Sequence, residues 1–205
     1  MRERGIIFND EMVRAILDGR KTQTRRPLKW KQTRFTEIGE REDGSKWPWS
    51  EDAEHACDFW HPCPFGAVGE RLWVREAFHN GCDGYSYRAD FDWIGESRKN
   101  NSGFLGCHDR WTPSIHMPRQ ASRITLEITG VRVERLQDIS EDDARAEGVQ
   151  PLRGGYWRHY QPGWTQHQLS ARGSFVTLWN SLYGDESWQA NPWVWVIEFR
   201  RVEGK

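Results

Sequence analysis

Ser122-Arg-Ile-Thr-Leu-Glu-Ile-Thr-Gly-Val-Arg-Val-Glu-Arg-Leu136 is the stretch of sequence that decides the fold. Apolar side chains occupy even positions up to Ile128 and odd positions from Val131, and Gly130 stands at the change of phase. Because side chains alternate between the two faces of a strand, this change predicts a β-bulge or sharp bend at Gly130. Such a bend is typical of a strongly coiled sheet or a small barrel.

The segments on either side predict further elements. Trp193–Phe199 is apolar on both faces through Ile197, which is typical of a central strand. Residues 9–18 have the spacing of a short amphipathic helix, and residues 140–148 have a serine cap and a terminal glycine that predict a two-turn helix. A longer helix is predicted over about 167–182.

Two weakly periodic segments interrupt this pattern. Residues 36–62 are acidic and contain Gly, Ser and Pro, and residues 90–114 show no regular apolar spacing. Both segments are interpreted as irregular insertions. The sequence therefore predicts a single α+β domain over residues 1–205, with a small mixed barrel-like sheet and short flanking helices.

Charge is unevenly distributed along the 205 residues, although the net charge is only −1. Residues 1–34 carry ten Lys or Arg against four Asp or Glu, whereas residues 35–58 carry two against eight. The net charge excludes a strongly basic protein that coats nucleic acid, but the uneven distribution allows a local basic patch. The chain contains 13 tryptophans, which is more than usual for its length, and these side chains either pack in the core or stack on nucleic-acid bases.

The composition also indicates the compartment. No apolar run approaches the ~18 residues of a membrane span, and the amino-terminal residues do not resemble a signal peptide. The four cysteines do not suggest a disulfide scaffold in a chain of this length. We therefore expect a cytoplasmic protein without a membrane partner.

Three residues are candidates for catalysis. Glu147 lies in the last turn of the predicted short helix, where the helix dipole disfavours a carboxylate, so it is either a general acid or base or an ordinary exposed glutamate. Lys21 and Thr24 lie in a polar segment that no apolar pattern explains, and they are either a base with its nucleophile or part of a solvated basic surface. In a regular strand Lys21 and Thr24 would face opposite sides, so a shared site requires irregular backbone.

Glu76 is a candidate of a different kind. It falls on the same strand face as Leu72 and Val74, which predicts a partly buried carboxylate that needs a cationic or hydrogen-bonding partner. The pattern leaves open whether Glu76 is a pocket residue or one half of a buried ion pair.

A metal site is the weaker interpretation of the cysteines and histidines. His55, Cys57, His61 and Cys63 lie within nine residues, but their spacing lacks the Cys-x2–4-Cys pattern of common zinc sites. We expect no metal and no cofactor.

Several motifs together resemble the ASCH domain family of the PUA-like superfamily. Leu17–Arg26 contains Gly-x-Lys-Thr-x-Thr-x-Arg, Gly69–Glu76 is similar to the strand that follows a Gly-Glu turn in this family, and Ser140–Gly148 resembles its Ser-x-x-x-Ala-x-x-Glu-Gly helix. Trp193–Phe199 resembles its closing strand. Cys63–Gly66 and the segment 117–123 are similar to features of larger phage and prophage members.

The resemblance implies a PUA-like β-barrel with a pocket that binds RNA or a modified nucleoside. Small members remove the acetyl group from N4-acetylcytidine with a lysine, a threonine and a glutamate, which correspond here to Lys21, Thr24 and Glu147. Another type of member has been assigned ribonuclease activity. The expected contacts to a base or phosphate are Arg25, Arg26, Arg75, Glu76, Arg119, Ser122 and Arg123.

Three functions follow as hypotheses. The first is a hydrolase that removes an acyl group from an N4-acetylcytidine-like substrate. The second is a non-catalytic module that binds RNA or another nucleic acid, and the third is a phage-type accessory protein whose insertions bind an unidentified protein.

Overall fold

The computed structural model describes residues 3–29, 37–52, 57–81, 84–99 and 110–202, with the backbone alone at 52, 57 and 58. Over these ranges the chain is a mixed α+β protein with more strands than helices. In chain order the elements are β1 (Glu3–Ile7), α1 (Asp10–Leu17), β2 (Gln23–Pro27), β3 (Glu37–Glu40), β4 (Lys46–Asp52), β5 (Cys57–Trp60), β6 (Arg71–Arg75), β7 (Phe78–Gly81), β8 (Gly84–Tyr87), α2 (Trp93–Lys99), β9 (Thr125–Arg135), α3 (Glu141–Ala146), α4 (Ala171–Tyr183), α5 (Glu186–Gln189) and β10 (Trp193–Val202). None of the helices in these ranges has the length and apolarity to cross a membrane.

The main sheet has five strands in the order β1-β6-β9-β10-β2. β1 runs parallel to β6, and all other neighbours in this sheet are antiparallel. β10 pairs with β9 on one side and β2 on the other, which confirms the predicted central strand. The predicted bulge is also confirmed, because Glu198 pairs with Gly130 while the next residue, Phe199, pairs with Ile128.

The expected closed barrel is not formed by the described strands, since β1 and β2 remain unpaired edges of an open sheet. One side chain connects these two edges. The guanidinium of Arg26 on β2 donates a hydrogen bond of 2.6 Å from Nη2 to the main-chain oxygen of Ile7 on β1. A side chain therefore spans the gap where a ladder of backbone hydrogen bonds would close a barrel.

Helices α1 and α4 pack with the sheet in one apolar core. Val13 of α1, Leu126 of β9 and Val196 of β10 are each fully buried members of this core. Burial of each such aliphatic side chain stabilises the fold by roughly 1.5–3 kcal/mol.

The predicted helices begin at the expected caps. Asn9 accepts a hydrogen bond of 2.9 Å from the Met12 amide, and Ser140 accepts one of 3.1 Å from the Asp143 amide. The last of the three predicted helices, which is α4 in the structure, starts later than predicted because Ser170 caps it. Leu169 consequently lies outside the helix and is 82% exposed.

The first predicted insertion is not irregular. Within residues 36–62 the described segments form an antiparallel sheet in the order β3-β4-β5. Trp47 of this sheet packs edge-on against Trp195 of the main sheet, with ring centroids 5.2 Å apart. The acidic residues of the segment obscured an aromatic pattern that anchors it to the core.

The second predicted insertion, 90–114, contains helix α2, so its description as irregular is wrong for Trp93–Lys99. Trp111 donates a hydrogen bond of 2.7 Å to Asp92 and lies edge-on to Trp93, which ties the two ends of the insertion together. Residues 100–109 lie outside the described ranges.

Candidate functional site

Lys21 and Glu147 meet although 126 positions separate them in sequence. The Lys21 Nζ atom donates hydrogen bonds to the Glu147 carboxylate at 2.9 Å and to the Glu147 main-chain oxygen at 2.8 Å. Their side chains are only 2% and 4% exposed. The two residues also form an isolated antiparallel bridge, which fixes their backbones as well as their side chains.

Gly148 makes this approach possible. Its φ is +89°, and a Cβ at this position would lie 2.7 Å from the Cβ of Lys21 and 2.9 Å from that of Ala15. A side chain would therefore be strained in the backbone and would overlap the lysine that pairs with Glu147. The glycine that ends α3 is thus also a condition for the lysine–glutamate contact.

Thr24 reaches the same place from β2. It pairs with Ile197 of β10, its exposure is 4%, and its side chain lines one cavity together with Lys21 and Glu147. Lys21 precedes β2, which begins at Gln23, so the two side chains do not follow strand alternation. Both residues nevertheless line one cavity, as a shared site requires.

The cavity has a volume of about 380 Å³ and lies between the two edge strands and helix α4. This size falls within the range of small-molecule sites. Phe8 and the α4 residues Phe175, Trp179 and Tyr183 form an aromatic wall, with the rings of Trp179 and Tyr183 4.4 Å apart. Thus the three candidate catalytic side chains open onto a space bounded by aromatic surface.

Arg25 contacts the carboxylate oxygen of Glu147 that Lys21 does not bind. Its guanidinium has no exposed surface and contacts Glu147 at 3.2 Å, Asp143 at 3.2 Å, and Glu134. Bonds to two carboxylates besides Glu147 hold this guanidinium in place. Arg25 therefore orients the Glu147 carboxylate from one side while Lys21 holds it from the other.

The surroundings of Lys21 change its acidity. Burial lowers the pKa of the Lys21 ammonium below its usual value of 10.5, the Glu147 carboxylate opposes this shift, and the nearby Arg26 and Arg25 add to it. A lysine with a lowered pKa can act as a base at a lower pH than a solvated lysine.

Of the other residues expected to bind a base or phosphate, Arg26 alone joins Arg25 in lining this cavity within the described ranges. Its guanidinium lies over the Phe8 ring at 5.2 Å and is held by the main-chain oxygen of Ile7.

Glu76 and Arg123 form a separate ion pair. Arg123 donates from Nε and Nη2 to the two carboxylate oxygens of Glu76, at 3.0 Å each, and also binds Asp90 at 2.7 Å. Glu76 is fully buried, and neither residue of the pair lines the cavity. The question left open by the strand pattern is answered in favour of a buried ion pair.

The remaining three expected contacts also lie away from the cavity. Arg75 donates to the main-chain oxygen of Ile115, Arg119 pairs with Glu3 at 2.8 Å, and the Ser122 hydroxyl donates to a main-chain oxygen of β6 at 2.7 Å. These side chains connect elements of the fold.

The candidate zinc ligands are only partly described. His55 and the side chain of Cys57 lie outside the described part of the chain. His61 hydrogen-bonds Ser50 through Nε2 at 2.9 Å, and Cys63 is buried, which raises the pKa of its thiol. No group of three potential ligands comes together among the residues that the structure describes.

The aromatic wall is the part of the site that the sequence did not indicate as functional. Phe175, Trp179 and Tyr183 recur every four residues on α4, and this spacing is equally typical of a helix face in a core. The sequence signals that could have indicated this wall are the four-residue spacing of the aromatic residues and the excess of tryptophan in the chain.

Compared with protein-family models, with curated proteins and with solved structures, the chain matches none. The case for function therefore depends on the cavity and on the side chains that line it.

Proposed function

We propose that the cavity is the active site of an amidohydrolase that removes the acetyl group from N4-acetylcytidine or a closely similar N4-acylated cytidine. We further propose that the chain is a PUA-like, ASCH-type protein. The observation that carries the proposal is that the buried residues Lys21, Thr24 and Glu147, drawn from two distant segments, line one cavity. In acyl transfer through a covalent intermediate, a hydroxyl can act as the nucleophile, and an amine or a carboxylate can act as its base.

The first half of the reaction transfers the acetyl group to the protein. The Thr24 hydroxyl attacks the acetyl carbonyl, and the Lys21 amine, whose pKa burial lowers, accepts the hydroxyl proton after passing its own proton to Glu147. The 2.9 Å contact between Lys21 and Glu147 allows a proton to pass along the pair to the leaving exocyclic nitrogen. The C–N bond breaks, cytidine leaves, and an acetyl ester remains on Thr24.

The second half restores the protein. A water molecule attacks the ester carbonyl while Glu147 or Lys21 takes one of its protons. The ester bond breaks, the Thr24 oxygen regains a proton, and acetate leaves. Arg25 contributes by holding the Glu147 carboxylate in place through its 3.2 Å contact.

The proposal is tested by incubation of the protein with N4-acetylcytidine and measurement of released cytidine by chromatography. We expect Thr24→Val, Lys21→Met and Glu147→Gln each to lower the rate at least ~100-fold. Thr177→Val is the matched control, because Thr177 also has a buried hydroxyl, which donates to Ser174 and accepts from the Tyr160 amide, but it does not line the cavity. Normal turnover by Thr24→Val would exclude the covalent mechanism.

A second candidate function is non-catalytic binding of single-stranded RNA. Residues 148–184 contain no acidic residue and three arginines, and this segment exposes Tyr156 by 44% and Trp164 by 59%. Exposed aromatic rings next to basic residues are typical of surfaces on which bases stack. The test is binding of a labelled single-stranded RNA at several salt concentrations, where affinity that falls with salt and with Trp164→Ala, without hydrolysis of acetylcytidine, would favour this function.

A further inference from the structure

A second, smaller cavity borders Gly148. We call it the arginine cavity, because its wall includes Arg14, Arg20 and Arg158. None of the residues in this wall lines the cavity of the proposed active site. The volume of the arginine cavity is about 140 Å³, a few times the roughly 30 Å³ that one molecule occupies in liquid water. A group of a few heavy atoms therefore fits inside it.

The wall of the arginine cavity carries more positive than negative charge. Besides the three arginines it contains two carboxylates, those of Glu11 and Asp18. Arg158 pairs with Glu11 at 2.6 Å, and Arg20 pairs with Asp18 at 3.2 Å. Arg14 donates instead to a main-chain oxygen at 2.9 Å and pairs with no carboxylate in the described part of the chain. One cationic charge of the wall is therefore left without a counter-ion.

Many hydrogen-bond donors of this wall are unused within the described ranges. Each guanidinium has five N–H groups, of which Arg14 uses one, while Arg20 and Arg158 use two each. The side-chain oxygen of Gln150 accepts from Arg158 at 3.0 Å, which leaves the NH2 group of this amide as a further donor. The Tyr160 oxygen accepts from the Gln150 main-chain amide at 3.0 Å, so its hydroxyl proton is available for donation. The unused groups of the three arginines, Gln150 and Tyr160 are thus all donors.

These donors are accessible from solvent. The side chains of Arg20 and Arg158 are 31% and 44% exposed. Among the residues that the structure describes, no buried side-chain atom without a hydrogen-bond partner belongs to this wall. An ion from solvent can therefore reach the unused donors.

We propose that the arginine cavity binds a phosphate group, either inorganic phosphate or the phosphate of a monoester. A phosphate carries between one and two negative charges at neutral pH and offers only strong acceptors to a wall of donors. Guanidinium groups match phosphate oxygens in bidentate geometry. A planar carboxylate has two oxygens and matches one guanidinium, whereas the tetrahedral phosphate presents oxygens in several directions and can bind more than one. This proposal does not depend on the proposed function.

Arg20 connects the arginine cavity with the proposed active site. Its Nη1 atom donates a hydrogen bond of 2.8 Å to the main-chain oxygen of Gly148, the residue after Glu147. Arg20 itself precedes Lys21, which forms the isolated bridge with Glu147. A phosphate bound to Arg20 therefore contacts a residue that adjoins both partners of this bridge.

The test is calorimetric titration of the full-length protein, at constant ionic strength, with sodium phosphate, with glycerol 3-phosphate and with sodium acetate. Acetate is the planar anion of lower charge. We expect both phosphates to bind at least about tenfold more tightly than acetate. Whichever of the two phosphates binds more tightly identifies the source of the group, as the free ion or as a monoester.

Substitutions in the wall locate the site. Arg14→Met and Arg158→Met each remove one guanidinium, and we expect each to weaken phosphate binding at least about tenfold. Arg145→Met is the matched control, because the Arg145 side chain is 58% exposed and pairs with one carboxylate, that of Asp142, but does not line the arginine cavity.

A third variant changes affinity in the opposite direction. Glu11→Gln removes the carboxylate that competes with phosphate for Arg158, so we expect it to tighten phosphate binding several-fold. A variant that merely lost its fold would not bind more tightly.

Several results would overturn the proposal. These are no binding of either phosphate to the wild type, acetate that binds as tightly as phosphate, or weaker phosphate binding by Glu11→Gln. Phosphate affinity that is unchanged in Arg14→Met and Arg158→Met, or that falls equally in Arg145→Met, would show that the phosphate binds elsewhere on the protein and would also overturn it.

Discussion

Replacement of Arg25 by methionine tests whether the charge cluster behind the cavity holds the fold together. Methionine keeps much of the aliphatic length of arginine and removes the charge. In the native protein the guanidinium has no exposed surface and contacts three carboxylates, those of Glu134, Asp143 and Glu147. The substitution therefore leaves buried or half-buried carboxylates without one of their cations.

The magnitude follows from which carboxylates keep another partner. Removal of one partner from a buried ion pair costs about 3–5 kcal/mol. Glu134 and Asp143 retain Arg132, at 3.1 Å and 2.9 Å, whereas Glu147 retains Lys21 alone. Because Glu147 is the carboxylate that mainly loses a partner, we expect the free energy of unfolding to fall by about 3 kcal/mol, the lower end of this range. In a chain of this size that corresponds to a fall in Tm of about 6–12 °C.

The assay is urea unfolding followed by tryptophan fluorescence, with Arg200→Met as the matched control. Arg200 also lies on a strand of the main sheet and pairs with one carboxylate, Glu127, but its side chain is 69% exposed. We expect the control to change the free energy of unfolding by less than about 0.5 kcal/mol. A loss below about 1 kcal/mol for Arg25→Met would show that the cluster is effectively solvated and would refute the reasoning.

The pH dependence of this loss gives an independent check. Burial alone would raise the pKa of Asp143, but Arg25 and then Arg132 lower it below its usual value of 3.8. A carboxylate with a lowered pKa stabilises the fold above its unfolded pKa, and this stabilisation is lost as the pH falls through the folded pKa. We therefore expect the gap in free energy of unfolding between wild type and Arg25→Met to be largest at neutral pH and to narrow in acid.

Three further predictions concern individual positions. Gly148→Ala should lower the free energy of unfolding by at least about 2 kcal/mol and also lower activity, because the new Cβ would overlap Lys21. The control Gly44→Ala has a similar positive φ but no atom within 4 Å of the new Cβ, so it should cost only the backbone strain of about 1 kcal/mol. Equal losses of the two variants in thermal unfolding would contradict this prediction. Burial raises the pKa of Glu76 above its usual value of 4.5. The wild type should therefore lose stability relative to Glu76→Gln as the pH rises through the pKa of Glu76 in the folded protein. If urea unfolding shows that the wild type instead gains stability relative to Glu76→Gln over this range, the pKa of Glu76 is lowered. Ser140→Ala should cost about 1 kcal/mol in the same assay, because it removes the cap of α3, and no loss would mean that the cap bond does not stabilise the helix.

The elements that the sequence predicted correctly depend on short-range patterns. The bulge at Gly130 follows from a change of phase within a few residues, and the caps at Asn9 and Ser140 are contacts across one helical turn. The central position of β10 follows from an apolar pattern on both faces. Each of these features is encoded within a window of about ten residues.

The features that sequence reasoning missed depend on contacts between distant segments. The sheet β3-β4-β5 was obscured because acidic residues surround the tryptophan that docks it on Trp195. The buried position of Arg25 depends on Glu134, which is 109 positions away. The aromatic face of α4 has the same spacing whether it faces a core or a cavity. No local pattern contains this information.

The sequence by itself determined the kinds of chemical group present and the α+β class. Only the tertiary structure decided that Lys21, Thr24 and Glu147 open onto one cavity, that Arg25 points inward to hold a carboxylate, and that the sheet remains open. The physical reason is that propensity, capping and periodicity act between neighbours in the chain. The burial and pairing of a charge depend instead on groups that folding brings from more than a hundred residues away.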